Sequence, residues 1–341
     1  MRFTFRPSTP EDEPQIVALL LRAFGMADGP LGAFVRPDHL AWKYWRPHPL
    51  WDGARSYVLE RGDAIVAHGA VWPIPLLAPH GRIAAIQLYD WAADPRALGA
   101  GLTLLRHVGR LADVICSIGG TETTQRMREP MGFRARNAVH SVARTIRPVA
   151  AALAGSPSWR TPLRVARALG RLRATPRPPQ GWEAREVPAA ALAGLGLRLP
   201  EAPPRGRGYE FERSTGLLAF LAECPSVRFR FFAVRRSEEW AGYFITRCDS
   251  REARLVDAWI VDSDVESLQA LHQTIVATVH GSSGAHLMTA YASSADMLAA
   301  FGASGFRSTY EQPAYVYDPA GLIPADAVLP LQLAQTDYAF L

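Results

Sequence analysis

Residues 2–6, RFTFR, alternate polar and apolar positions and predict a short strand. Thr9, Pro10 and Asp12 then supply an N-cap, a first-turn proline and an acidic third position for a helix reaching Phe24. The run HLAWKYWRPHP predicts a short aromatic helix. RSYVLER and AIVAHGAVWPIPL predict two antiparallel strands joined at Gly62-Asp63, a strong hairpin signal. RIAAIQLYDWAAD reads as a buried strand, GAGLTLLRHVGRLA as a helix, DVICSIGG as a strand, TETTQRMREPMG as a short helix and RARNAVHSVARTI as a closing strand. The element order is β-α-α-β-β-β-α-β-α-β.

Between Pro148 and Gly181 prolines recur and arginines appear without any acidic residue, which marks a boundary. Beyond it the same order returns. WEAREV predicts a strand, STGLLAFLAECP a helix ending in proline as HLAWKYWRPHP does, and RFRFFAVRRSEEWAGYFITR a strand pair. REARLVDAWIVD takes the place of IQLYDWAAD, SLQALHQTIVATVH is a helix, HLMTAY a strand, and SADMLAAFGASGFRST mirrors QRMREPMGFRAR. Asp90 to Gly132 spans 42 positions and Asp257 to Gly305 spans 48, so the chain reads as two similar units. The predicted division is residues 1–148, an Arg/Pro-rich linker 149–180, a second unit 181–320 and a tail 321–341.

A chain of 341 residues holds two domains comfortably, each large enough to bury a core. With 48% hydrophobic and 20% charged residues and no apolar run of about 20 residues, a soluble chain is expected. The start, MRFTFRPSTPEDE, turns acidic before an apolar stretch forms, against a signal peptide. Cys116, Cys224 and Cys248 are far apart and offer no zinc or redox spacing, so no metal and a cytoplasmic setting are expected. The net charge of +5 invites an acidic partner, yet Lys43 is the sole lysine among 37 basic residues, a compositional arginine bias. No nucleic-acid recognition motif accompanies the charge.

The most informative stretch is DWAADPRALGAGLTLLRHVG, residues 90–109. Gly99 and Gly101 stand where a strand turns into a helix. Backbone N–H groups freed of Cβ neighbours can converge there on an anion, and the helix adds the positive end of its dipole. The same pair also simply permits a tight turn. The third glycine of a dinucleotide fingerprint and the Gly-Lys-Ser/Thr end of a P-loop are both missing.

Arg96-x-x-Gly99-x-Gly101 after a fourth strand, followed about 30 residues on by a short helix ending in Gly132-Phe133, resembles the GNAT superfamily of N-acetyltransferases. The resemblance covers residues 1–148 and, more loosely, 181–318, as a tandem arrangement. It implies an α/β fold of the α+β type, with two GNAT-like units, each a mixed, mostly antiparallel sheet flanked by helices. It also implies an acyl-CoA co-substrate, acetyl-CoA or a longer acyl-CoA. Arg96, Leu98, Gly99, Ala100, Gly101 and Leu102 would hold its pyrophosphate. Trp91, Ala92 and Ala93 would pair with the pantetheine arm between splayed fourth and fifth strands. The second unit departs from the pattern: VDSDVESLQAL carries Asp262, Asp264 and Glu266, which would repel phosphate. One cofactor site is therefore expected, with a degenerate second unit.

Acyl transfer to an amine needs a base for the amine, an acid for the leaving thiolate and a donor for the carbonyl oxygen. Asp90, Glu122 and His68 are the base candidates; equally, Asp90 can cap the turn, Glu122 its helix, and His68 can be a core histidine. The tyrosine that many family members place in the helix after strand five is missing from TETTQRMREPMGF; Tyr89 is the substitute candidate, or a packing residue. Trp42, Tyr44, Trp45 and Trp51 line an acceptor pocket or form core. In the linker, Leu163, Ala166, Leu169 and Leu172 share one helix face and Arg164, Arg167 and Arg171 another, which suits either packing on the chain itself or docking an acyl carrier protein or membrane. The expected activity is transfer of an acyl group from CoA to an amine on a small molecule or sugar. A carrier-protein donor and a non-catalytic CoA-binding module are the alternatives.

Overall fold

A computed structural model of the chain describes residues 3–24, 35–120, 122–154, 159, 161–169, 176–195, 199 and 208–340. The first repeat opens with β1 (Thr4–Pro7) and a capped turn in which Asp12 accepts the Thr9 backbone N–H at 2.8 Å, leading into α1 (Glu13–Ala23). α2 (Pro37–Leu40) continues as a π turn, Ala41–Trp45. β2 (Ser56–Arg61) and β3 (Ala64–Pro73) form the expected hairpin, with Gly62 at φ 63° in the turn. Two short strands not read from the sequence follow, β4 (Leu76–Ala78) and β5 (Gly81–Ile83). Then come β6 (Ala85–Ala93), α3 (Ala100–Val108), β7 (Val114–Ser117), α4 (Glu122–Arg128) and β8 (Arg134–Thr145).

The linker carries α5 (Pro148–Ala154) and α6 (Thr161–Leu169). The second repeat runs β9 (Trp182–Val187), α7 (Ala189–Gly194), β10 (Glu210–Phe211), α8 (Thr215–Ala222), β11 (Phe229–Arg236), β12 (Glu239–Cys248), β13 (Glu252–Ile260), α9 (Val265–Ser282), β14 (Leu287–Ala292), α10 (Ala295–Ala303) and β15 (Arg307–Tyr317). The repeat is visible in backbone detail: Gly132 and Gly305, each before a phenylalanine, have φ 90° and 82°, as left-handed residues closing a helix do.

The two repeats share one 12-stranded sheet in the order β1-β2-β3-β6-β7-β15-β8-β14-β13-β12-β11-β9. The closing strands are exchanged. β15 of the second repeat pairs with β7 of the first, and β8 of the first pairs with β14 of the second. β8 and β15 lie against each other along their length and weld the halves. A small sheet, β10-β4-β5, links the repeats again. On one face the halves bury a common aromatic cluster: Trp42 stacks on Phe220 at 4.9 Å and Trp72 lies 4.6 Å from Phe340. Phe340 belongs to the C-terminal segment, whose Leu329, Leu331 and Leu333 are also buried in this core.

Candidate active site

Strands β6 and β7 run parallel and pair only from Ala85 and Val114 to Gln87 and Cys116. Beyond that point β6 continues to Ala93 with no described strand on this edge, so the sheet opens into a slot walled by the edge of residues 88–93 that faces away from β3. Gln87, at the point of separation, is buried and its Oε1 meets no donor. Opposite the open edge, Asp90 and Trp91 face the single residue Gly69 of β3, and Asp90 takes φ 46°. A non-glycine residue in this left-handed region marks a bulge that re-aims the strand beside the slot.

The glycine turn stands at the same end. Gly99 is the N-cap of α3 with φ 80°, and a Cβ there would meet nothing within 4 Å. Gly101 is small for a different reason: a Cβ would press to 3.3 Å from that of Ala93, and the Trp91 indole donates to the Gly101 carbonyl at 3.2 Å. The Ala100 N–H is taken by Ala97, whereas those of Leu98 and Gly99 find no acceptor among the described residues. Leu98 and Gly99 are exposed. Two unpaired N–H donors thus stand at the helix start, beside the positive end of its dipole. Arg96 turns its guanidinium onto Asp94 at 2.9 Å, which holds the Asp94 carboxyl down at about 2. A cleft of about 430 Å³ next to this turn gathers Arg22, Arg61 and Arg96.

Behind the bulge lies a buried polar network. Asp90 Oδ2 accepts from Lys43 Nζ at 2.7 Å and from the Tyr44 hydroxyl at 2.6 Å. Burial raises the carboxyl pKa, but Lys43 and Tyr44 outweigh it and hold Asp90 below the usual carboxylate range. His68 is fully buried and pushed down to about 4 by that burial, with Asp90 opposing in part. Its Nδ1 lies 3.0 Å from the Asp90 carbonyl, which can only accept, so the proton sits on Nδ1. Nε2 then accepts from Ser56 at 2.9 Å; Ser8 donates to Ser56 and Trp45 to Ser8. Every member of this chain is satisfied in one direction.

The other candidates fall around this centre. Tyr89 is buried, and its hydroxyl donates to the Lys43 carbonyl at 3.1 Å. Glu122 lies on the exposed side of α4, ion-paired with Arg126. Trp42 and Tyr44 are buried, while Trp45 and Trp51 are half-buried with their indole N–H groups on Ser8 and the Ala54 carbonyl. Ala92 is buried beside Trp91 and Ala93 on the free edge; Leu102 sits in the first turn of α3. In α6, Leu163 and Leu169 are half exposed, so the apolar side faces out; Arg171 and Leu172 lie outside the described residues. Sequence reasoning missed Lys43, although a single lysine inside HLAWKYW was a signal. Among the described residues no cluster of His, Cys, Asp and Glu suits a metal ion, and no helix is long and apolar enough to cross a membrane.

The second repeat repeats the slot and fills it. β13 and β14 pair only from Glu252–Leu287 to Arg254–Thr289 and then part. Asp257 stands where Asp90 stands, held by Arg213 at 2.9 Å and by the Tyr243 hydroxyl at 2.6 Å. On the free edge just beyond it, the Gln332 carboxamide both accepts the Ala258 N–H and donates to the Ala258 carbonyl, each at 2.8 Å. At the start of α9, the Asp264 side chain caps the Ser267 N–H where the first repeat has its glycine turn. A carboxylate caps this helix start, and Asp262 and Glu266 on either side make it acidic.

No protein-family model matches this sequence, and no curated protein matches it. Solved structures do. A GCN5-related N-acetyltransferase from Anabaena variabilis ATCC 29413 superposes with a TM-score of 0.57 at 11% identity, over 92% of this chain and 72% of that one. A GCN5-related N-acetyltransferase from Kribbella flavida gives 0.56 at 15% identity, over 92% and 70%. A tandem GNAT protein from the clavulanic acid biosynthesis pathway gives 0.54 at 13% identity, over 92% and 98%. The fold is that of the GNAT N-acetyltransferases, in tandem arrangement.

Proposed function

We propose that the chain is an acyl-CoA-dependent N-acyltransferase that uses one slot, in residues 1–148, to pass an acyl group to an amine on a small molecule or sugar. The observation that carries this reading is the pairing of an open β6 edge with the unpaired N–H donors of Leu98 and Gly99, at the same end of the sheet. The edge of residues 91–93 offers backbone groups to the amides of a pantetheine arm. The donors at Leu98 and Gly99 and the arginines at positions 22 and 61 suit its phosphates. Support for a single slot is the chain's own Gln332 on the equivalent edge of the second repeat.

Within the slot, Asp90 acts as a positioning residue rather than a free base. Its carboxylate is committed to Lys43 and Tyr44, and its carbonyl to His68, which together fix the bulge. His68, down at about 4 and engaged at both nitrogens, remains neutral and orients the same bulge. The test is release of free thiol from acetyl-CoA with a panel of arylalkylamines, aminoglycosides and amino acids, followed by acceptor mass. A mass increase of one acetyl group on at least one amine, lost in Gly99→Asp, is expected. Binding of acetyl-CoA without transfer to any amine would instead leave a CoA-binding module.

A carrier-protein donor is a second reading, favoured by the exposed Leu163 and Leu169 on α6 beside Arg164 and Arg167. It requires that carrier-bound acetyl groups be used and that neutralising both arginines raise KM for the carrier but not for acetyl-CoA.

A further inference from the structure

The C-terminal segment that fills the second slot goes on to the first. Gln332 is fixed on Ala258 of β13, the Ala334 carbonyl accepts from Trp72 Nε1 at 3.1 Å, and the Ala339 carbonyl accepts from Arg247 at 3.1 Å. Between these anchors Tyr338 is laid on Gly119, just past the end of β7, at the lip of the open slot. A Cβ at Gly119 would collide with the Tyr338 hydroxyl and come within 3.2 Å of Cζ, so the absence of a side chain there is what admits the phenol. The Tyr291 ring lies edge-on to it, 6.4 Å between centroids.

Next to the phenol stands a cation that no carboxylate neutralises among the described residues. Arg128, at the end of α4, is buried; it donates to Ser117 Oγ at 3.0 Å and to the Gly119 carbonyl, and its guanidinium lies 4.7 Å above the Tyr315 ring. Its Nε meets no acceptor. A buried cation without a counter-ion favours negative charge developing beside it. Burial lowers the Arg128 pKa, with Tyr315 and Tyr338 opposing, so the guanidinium senses the phenol.

We propose that Tyr338, delivered from the second repeat's tail and flanked by Arg128, is the acid that protonates the departing CoA thiolate, in place of the tyrosine that α4 lacks. This rests on the acyltransferase reading of the first slot. The amine nitrogen bonds to the thioester carbonyl carbon and the C–S bond breaks. The sulfur takes the proton of the Tyr338 hydroxyl, and the phenolate, held by Arg128, regains through solvent the proton that the newly acylated nitrogen sheds as it becomes the amide. The sum is acyl-CoA and amine going to amide and CoA thiol. Gln332 then has two effects in one segment: it closes the unused slot and sets the reach of the tail to the used one.

The experiment is steady-state kinetics of the full chain with acetyl-CoA and the amine that the panel identifies, together with acetyl-CoA titration calorimetry. Tyr338→Phe is expected to lower kcat by about 100-fold or more while leaving the acetyl-CoA Kd and the melting temperature in place. Gly119→Ala should lower kcat in the wild-type background, by displacing the hydroxyl, and have a much smaller effect when combined with Tyr338→Phe. A wild-type chain that turns over and a Tyr338→Phe variant within about threefold of it overturns the assignment and leaves the acyltransferase reading standing. Loss of Kd and kcat together also overturns it, since that is a packing effect. A wild-type chain that transfers acetyl to no amine removes both readings.

Discussion

Lys43 is the only lysine in the chain and is fully buried, 2.7 Å from a buried carboxylate. Removing a buried charge partner costs more than the pair contributes, because the other charge is left unpaired in a poor solvent. Lys43→Met should therefore lower unfolding free energy by about 3–5 kcal/mol, and Lys43→Met with Asp90→Asn by less, since the orphan charge is then gone. Urea unfolding measures both; a single variant within about 1 kcal/mol of wild type would contradict the account. The role of Asp90 shows how far residue types carry. Its place at the strand end was legible, and so was its competence as a carboxylate. That Lys43 and Tyr44, more than 40 positions upstream, occupy that carboxylate is a tertiary fact. Glu122 illustrates the converse: its position at the start of a helix was correctly read, but the side of α4 it occupies is set by packing, and it faces solvent.

The regular elements were legible because each repeats a local physical signal. The Gly62 turn, the Thr9–Asp12 box and the paired Gly-Phe helix ends are all decided by neighbouring residues. The backbone need for the glycine pair was also legible. Gly99 is needed for its left-handed backbone and Gly101 for the close approach of α3 to Ala93. Strand pairing across the repeats was not legible. Nothing in the pattern of β8 or β15 says that each closes the other repeat, because alternation specifies a face and not a partner. β4, β5 and β10 are two or three residues long and leave no period to read.

Taken together, the repeats place their buried imidazoles on both sides of the shared sheet. Burial pushes His39 and His68 down to about 4, and His48 and His272 down to about 3. Each is neutral when folded, whereas in the unfolded chain each takes up a proton below its ordinary value near 6.5. The unfolded state thus binds more protons throughout this window. The corresponding stability is fully present above pH 6.5 and is lost as pH falls toward 4, by about 1.4 kcal/mol per pH unit per imidazole. Urea midpoints should be level from about pH 7 to 8 and drop steeply between about 6 and 4.5; a level profile down to pH 5 would contradict the neutral burial.

Two slots with one left open is the feature from which the functional reading follows, and tail residues 329–340 make the difference between them. Calorimetric titration of the full chain with acetyl-CoA tests that asymmetry most directly. Gly99→Asp is the matched variant, because its position has open space and aspartate tolerates a left-handed backbone better than most residues. One equivalent bound by the wild type, and affinity weakened on the order of 100-fold or more in Gly99→Asp by charge repulsion, is the predicted result. Two equivalents bound, or affinity unchanged in Gly99→Asp, would contradict it.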